Sequence, residues 1–85
     1  MKTKTDPIPA AVQAILDRAY HRVISGEPSE GYLGEVLELP GCLTAGETPE
    51  EALSNLTEAM TVWIESALQH GDVIPEPTEG RVRVA

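Results

Sequence analysis

The chain contains no phenylalanine, one cysteine and, between Gly26 and Gly80, no lysine or arginine. Each shortage excludes something. With only Tyr20, Tyr32 and Trp63 as aromatics, there is no platform on which successive bases could stack. A lone cysteine, Cys42, forms no internal disulfide, which fits a reducing cytoplasm. The opening residues MKTKTDPIPAAV lack the apolar core of a signal peptide. Uninterrupted apolar runs fall far short of the roughly 18 residues a membrane helix needs. A cytoplasmic protein with no membrane contact is the expectation.

The missing bases matter most. Fourteen acids face six bases, for a formal net charge of −8. Lys2, Lys4, Arg18, Arg22, Arg81 and Arg83 all lie towards the ends, whereas every acid except Asp6 and Asp17, twelve in all, lies between Gly26 and Gly80. Such a field repels phosphate backbones and disfavours direct nucleic-acid binding. It attracts a basic partner, including a protein that itself grips nucleic acid, although acidity also serves plain solubility. Eighty-five residues make a single domain, 1–85. A chain this short buries roughly 60–65% of its unfolded surface, so a homo-oligomer, dimer or tetramer, is expected to supply the missing burial.

What is present reads as an α+β domain in the order α-β-β-β-α-β. Pro9 opens an amphipathic helix over about 9–19, with Ile8, Val12, Ile15, Leu16 and Ala19 at helical spacing. YHRVISG alternates as a strand, GEPSEG is a hairpin loop, and YLGEVLEL is a second strand. In that strand Tyr32, Gly34 and Val36 face one way and Leu33, Glu35 and Leu37 the other, which suits a strand largely covered by neighbours. Pro40 stops it, and CLTAG gives a third strand, completing an antiparallel meander. A long helix over about 49–70 follows: Thr48 is its N-cap, Pro49 its first residue, and Glu51 completes a capping box. Ala52, Leu53, Leu56, Ala59, Met60, Trp63, Ile64, Ala67 and Leu68 form its apolar stripe, and Gly71 ends it. RVRVA, 81–85, alternates as a last strand that either rejoins its own sheet or pairs with another protomer.

Catalytic readings lack partners. Neither His21 nor His70 is placed by sequence beside Cys42, so that thiol has no activating base and reads as a small packing residue. One cysteine and two distant histidines do not make a zinc site. Glu27, Glu30, Glu35, Glu38 and Glu47 are the nearest approach to a magnesium site, but no lysine or arginine is interleaved to hold a polyanionic substrate. Gly41 and Gly46 are expected to supply turns or a positive φ and belong to no phosphate-binding loop. Trp63 reads as core. No catalytic residue, metal or cofactor is assigned; Glu35, with Glu38 and Tyr32 behind it, is the candidate partner-binding set.

GYLGEVLELPGCLTAGETPEEALSNLTEAM, residues 31–60, resembles the signature of HicB-type antitoxins. It contains a Gly-Tyr strand, an L-P-G-C turn through Pro40, Gly41 and Cys42, a short strand ending at Gly46 before Glu47 and Thr48, and an E-E-A helix start at Glu50, Glu51 and Ala52. VIPEPTE, 73–79, resembles the segment following that family's helix. The resemblance implies a truncated RNase-H-like fold without the catalytic acids, hence no enzyme. It also implies a partner, a small basic mRNA-cleaving HicA-like toxin. The family's C-terminal DNA-binding domain is expected to be absent after the last strand, and the N-terminal helix is expected to be an addition. Two other functions remain open: a self-assembling structural or regulatory module, and a divergent metal-dependent nuclease using Glu35 or Glu38.

Overall fold

Residues 8–78 are described by the computed structural model. They follow the order α1 (Ala10–Leu16), β1 (Arg22–Glu27), β2 (Gly31–Val36), β3 (Leu43–Gly46), α2 (Pro49–His70). The fold is α+β, with a three-stranded antiparallel meander in the order β1-β2-β3. The last strand expected over 81–85 lies outside the described residues.

Helix α2 has the bounds its sequence signals predict. The Thr48 side chain accepts a hydrogen bond from the Glu51 amide at 3.0 Å, and Glu51 Oε1 accepts one from the Glu47 amide at 2.5 Å. The carboxylate thus reaches one residue beyond the usual capping-box partner. Gly71 closes the helix in the left-handed conformation at φ +69°. The buried stripe is narrower than expected: Ala52, Leu56, Met60, Ile64 and Ala67 are buried, Ala59 and Trp63 half-buried, while Leu53 and Leu68 are exposed. Leu53 and Leu68 each follow a buried residue by one position, about 100° round the helix, so both lie on the flank that runs past the sheet, while Ala59 and Trp63 lie on the other.

Helix α1 is shorter than the expected 9–19. At seven residues it is too short to hold by backbone bonds alone; Val12, Ile15 and Leu16 bury its inner side in the core. It ends because the chain tightens at Arg18, whose amide bonds to Ile15 O, and Tyr20, whose amide bonds to Arg18 O. This turn delivers Tyr20 into the core at 5% exposure, so the first strand starts at Arg22 rather than at Tyr20.

The face of the sheet towards α2 is built for close approach. A Cβ on Gly46 would sit 2.5 Å from the Ala52 amide nitrogen, and one on Gly34 3.3 Å from Ala52 O. Gly46, expected to supply a turn or a positive φ, has no positive φ and is required by contact with the helix. Gly41 does have the positive φ, +81°. With Pro40 before it and the Cys42 amide bonded to Leu39 O at 3.0 Å, it forms a turn of the type II pattern.

Candidate partner-binding face

The period of two along a strand sends alternate residues to opposite faces. In the observed register, Ile24, Gly34 and Thr44 lie in one cross-strand row, and Val23, Glu35 and Leu43 in the adjacent one. The first row, with Val36, faces α2 and the core. The second faces outwards, and among the described residues nothing covers it. Val23, Leu33, Leu37 and Leu43 are 39%, 45%, 58% and 51% exposed. The second strand, expected to be largely covered by neighbours, is covered on one face among the described residues, because one helix can cover one face of a small sheet.

Glu35 stands in the middle of this outer face. Val23 and Leu43 flank it across the strands, and Leu33 and Leu37 lie two residues away along the chain. It is half-buried among these aliphatic groups, and its carboxylate makes no hydrogen bond or ion pair within the described residues. Arginines Arg18 and Arg22 are committed elsewhere: Arg18 to Glu76 at 3.5 Å and to the Tyr20 hydroxyl, Arg22 to Met60 Sδ at 3.3 Å and Leu16 O at 3.4 Å.

The other two residues of the predicted set do not join it. Tyr32 is half-buried and lies in the row of Gly26 and Gly46, on the opposite face from Glu35. Glu38 follows β2 in the turn region and points into the protein. Its Oε1 accepts from the His21 amide at 2.9 Å; its Oε2 accepts from the Thr78 amide and hydroxyl, both at 3.0 Å, and lies 2.6 Å from His21 Nδ1. Burial alone would raise the pKa of this carboxyl, but the His21 side chain and backbone and the Thr78 backbone and hydroxyl outweigh it and bring the value from 4.5 down to about 2. Glu38 is an internal clamp, so its carboxylate is not offered to a partner. Sequence reading missed the clamp because its members are 17 and 40 residues apart, a separation that leaves no local pattern.

The His21, Glu38 and Thr78 grouping has the residue types of a nucleophilic triad but not its geometry. Both Glu38 Oε2 and Thr78 Oγ1 contact the same ring nitrogen, Nδ1, at 2.6 and 3.1 Å. A relay needs acid and nucleophile on opposite nitrogens. Its effect is mechanical: it pins the segment after α2 against the start of β1. Tyr20 does the same upstream, its hydroxyl donating to Pro75 O at 2.6 Å.

Cys42 is 2% exposed, and burial pushes its thiol pKa up, away from the thiolate a nucleophile needs. Trp63 is half-buried rather than fully in the core, and its indole donates to Pro40 O at 2.8 Å, tying α2 to the L-P-G-C turn. Beside it runs an open groove of about 560 Å³ along Val62, Ser66, Val73 and Pro75. Among the described residues no three or more His, Cys, Asp or Glu side chains are grouped to hold a metal ion, and no helix is long and apolar enough to cross a membrane.

Residues 20–82 match the family described as HicB-like antitoxin of bacterial toxin-antitoxin system. The match begins at Tyr20 and takes in the whole sheet, α2 and the clamped segment, leaving α1 outside. The UPF0150 protein Ta0767 of Thermoplasma acidophilum is 37% identical over 65 residues, covering 76% of this chain and 94% of that protein. The UPF0150 protein ssr1765 of a Synechocystis species is 35% identical over 57 residues, 67% of this chain and 72% of that one. A 14.9 kDa protein from the rep-hol intergenic region of Haemophilus phage HP1 is 38% identical over 48 residues, but the match spans only 36% of its length. With the family pattern running through three-quarters of the sequence and the strand, turn and helix motifs in their expected order, the chain belongs to the HicB-like antitoxins of bacterial toxin-antitoxin systems.

Proposed function

We propose that this chain is a non-enzymatic antitoxin that binds and neutralises a small basic, mRNA-cleaving toxin of the HicA type. The observation that carries this reading is the base-free span. From residue 27 to residue 78 an antitoxin-family chain presents acids and no lysine or arginine, which is the complement of a protein that grips RNA. A toxin surface evolved to attract phosphates meets a carboxylate-bearing protein in their place. The proposal includes a cytoplasmic location, where such a toxin acts, and a homo-oligomeric antitoxin, dimer or tetramer, whose extra burial supports a small core. It includes no cofactor and no direct contact with nucleic acid.

The test is co-expression with a HicA-like toxin. The antitoxin reading expects a stable complex on copurification and relief of the growth arrest that the toxin causes alone. Neither complex nor relief would sink it. The outcome would then favour a self-assembling module, for which the exposed aliphatic side chains of the sheet provide a surface.

A further inference from the structure

We infer that the uncovered face of the sheet is where the toxin docks, with Glu35 receiving an arginine or lysine from an otherwise apolar patch of that partner. This rests on the antitoxin reading above and adds the site and the chemistry it selects.

Among the described residues the sheet is clad by α2 on one face only. On the other, Val23, Leu33, Leu37 and Leu43 are all between 39% and 58% exposed, and the register places Glu35 between them. Clustered aliphatic side chains around one polar anchor have the anatomy of an interface centre: apolar area supplies burial, and the charge sets specificity. Charge also decides between the two natural occupants. If a second copy stacked on this face about a two-fold axis through its centre, the central row would meet itself and bring Glu35 against Glu35. No described cation lies on the face to neutralise them, since Arg18 and Arg22 are engaged elsewhere. Two carboxylates would then lose water with no counter-charge, a costly arrangement. A basic partner reverses the sign of that term. Its guanidinium or ammonium on Glu35 makes a charge-assisted pair that closing aliphatic groups shield from solvent. A nucleic acid is excluded by the same carboxylate.

The experiment measures binding of the full chain to a HicA-like toxin made inactive by a substitution in its active site. The wild type is compared with Glu35→Lys, Glu35→Gln, Leu33→Ser and a control, Val62→Ser, a change of an exposed aliphatic residue on α2. Thermal melts verify that each variant is folded. Glu35→Lys is expected to weaken binding about 100-fold or more and Leu33→Ser about 10-fold, as for residues near an interface centre. Glu35→Gln is expected to weaken binding and flatten its salt dependence, and Val62→Ser to change it less than about twofold. If the wild type binds and the Glu35 and Leu33 variants bind equally well, the docking face is wrong while the antitoxin reading stands. If these variants instead dissociate the chain's own oligomer in sedimentation, the face belongs to a second copy, and the inference is overturned. If the wild type does not bind at all, the antitoxin reading falls and takes this one with it.

Discussion

Strand β2 supplies both faces of the sheet, and the two have opposite fates. On the α2 side, Gly34 and Val36 are buried, with helix backbone only 3.3 Å from where a Gly34 Cβ would be. On the other side Leu33 and Leu37 remain about half exposed around a half-buried carboxylate with no partner among the described residues. The rows are similarly apolar in sequence. They differ in neighbours: α2 has one buried stripe and spends it on one face. An apolar row in a small domain therefore says that something covers it, without saying that the same chain does.

Leu56→Ala should give the largest effect separating the faces. Leu56 is fully buried under the sheet, and such truncations cost about 2–5 kcal/mol. In a small domain that is a large part of total stability, so chemical denaturation should show a much lower midpoint or loss of the cooperative transition. An equally unstable Leu33→Ser would erase the distinction between the faces.

Gly46→Ala comes next. Its new Cβ would lie 2.5 Å from the Ala52 nitrogen and 2.9 Å from Ala52 Cα, both backbone atoms of the first helical turn. Helix and strand must separate, and overpacking of this kind costs about 1–3 kcal/mol. Gly41→Ala tests the other mechanism. It meets no atom within 4 Å and suffers only from φ +81°, at roughly 1 kcal/mol. If the two variants melt alike, close approach is not what Gly46 supplies.

Glu38 belongs to neither face and sharpens the comparison with Glu35, three residues earlier. Because its folded pKa of about 2 lies below the 4.5 it has unpaired, its stabilising contribution is complete above about pH 5. That contribution is lost as pH falls towards 2. Thermal melts across that window should show a decline that Glu38→Gln reduces. At neutral pH Glu38→Gln should cost about 1–3 kcal/mol by exchanging a charged acceptor for a neutral amide.

The smallest expected effect is Leu33→Ser in the free chain, within about 0.5 kcal/mol, as for surface changes that break no packing. Paired with the loss of toxin binding expected above, it would show a residue that serves a partner without serving the fold.

Much of this was legible in the residues because local chemistry dictates it. Thr48, Pro49, Glu51 and Gly71 place α2 through groups within one helical turn of each other, and the alternation of β2 follows from backbone geometry. Even the motif from Pro40 to Glu51 that resembled the antitoxin family is mostly turn and cap chemistry. Cys42, set in its midst and read as a small packing residue, is buried. The rest depended on tertiary structure. Tyr32, Glu35 and Glu38 look like one set along the chain, yet one lies on the α2 side, one faces outwards and one is clamped by residues 17 and 40 positions away. Which row of β2 is covered, which flank of α2 runs past the sheet and which carboxylate is already satisfied are properties of who meets whom in space. Local sequence determines a residue's conformation and the side on which it stands. Only the folded chain decides what stands opposite.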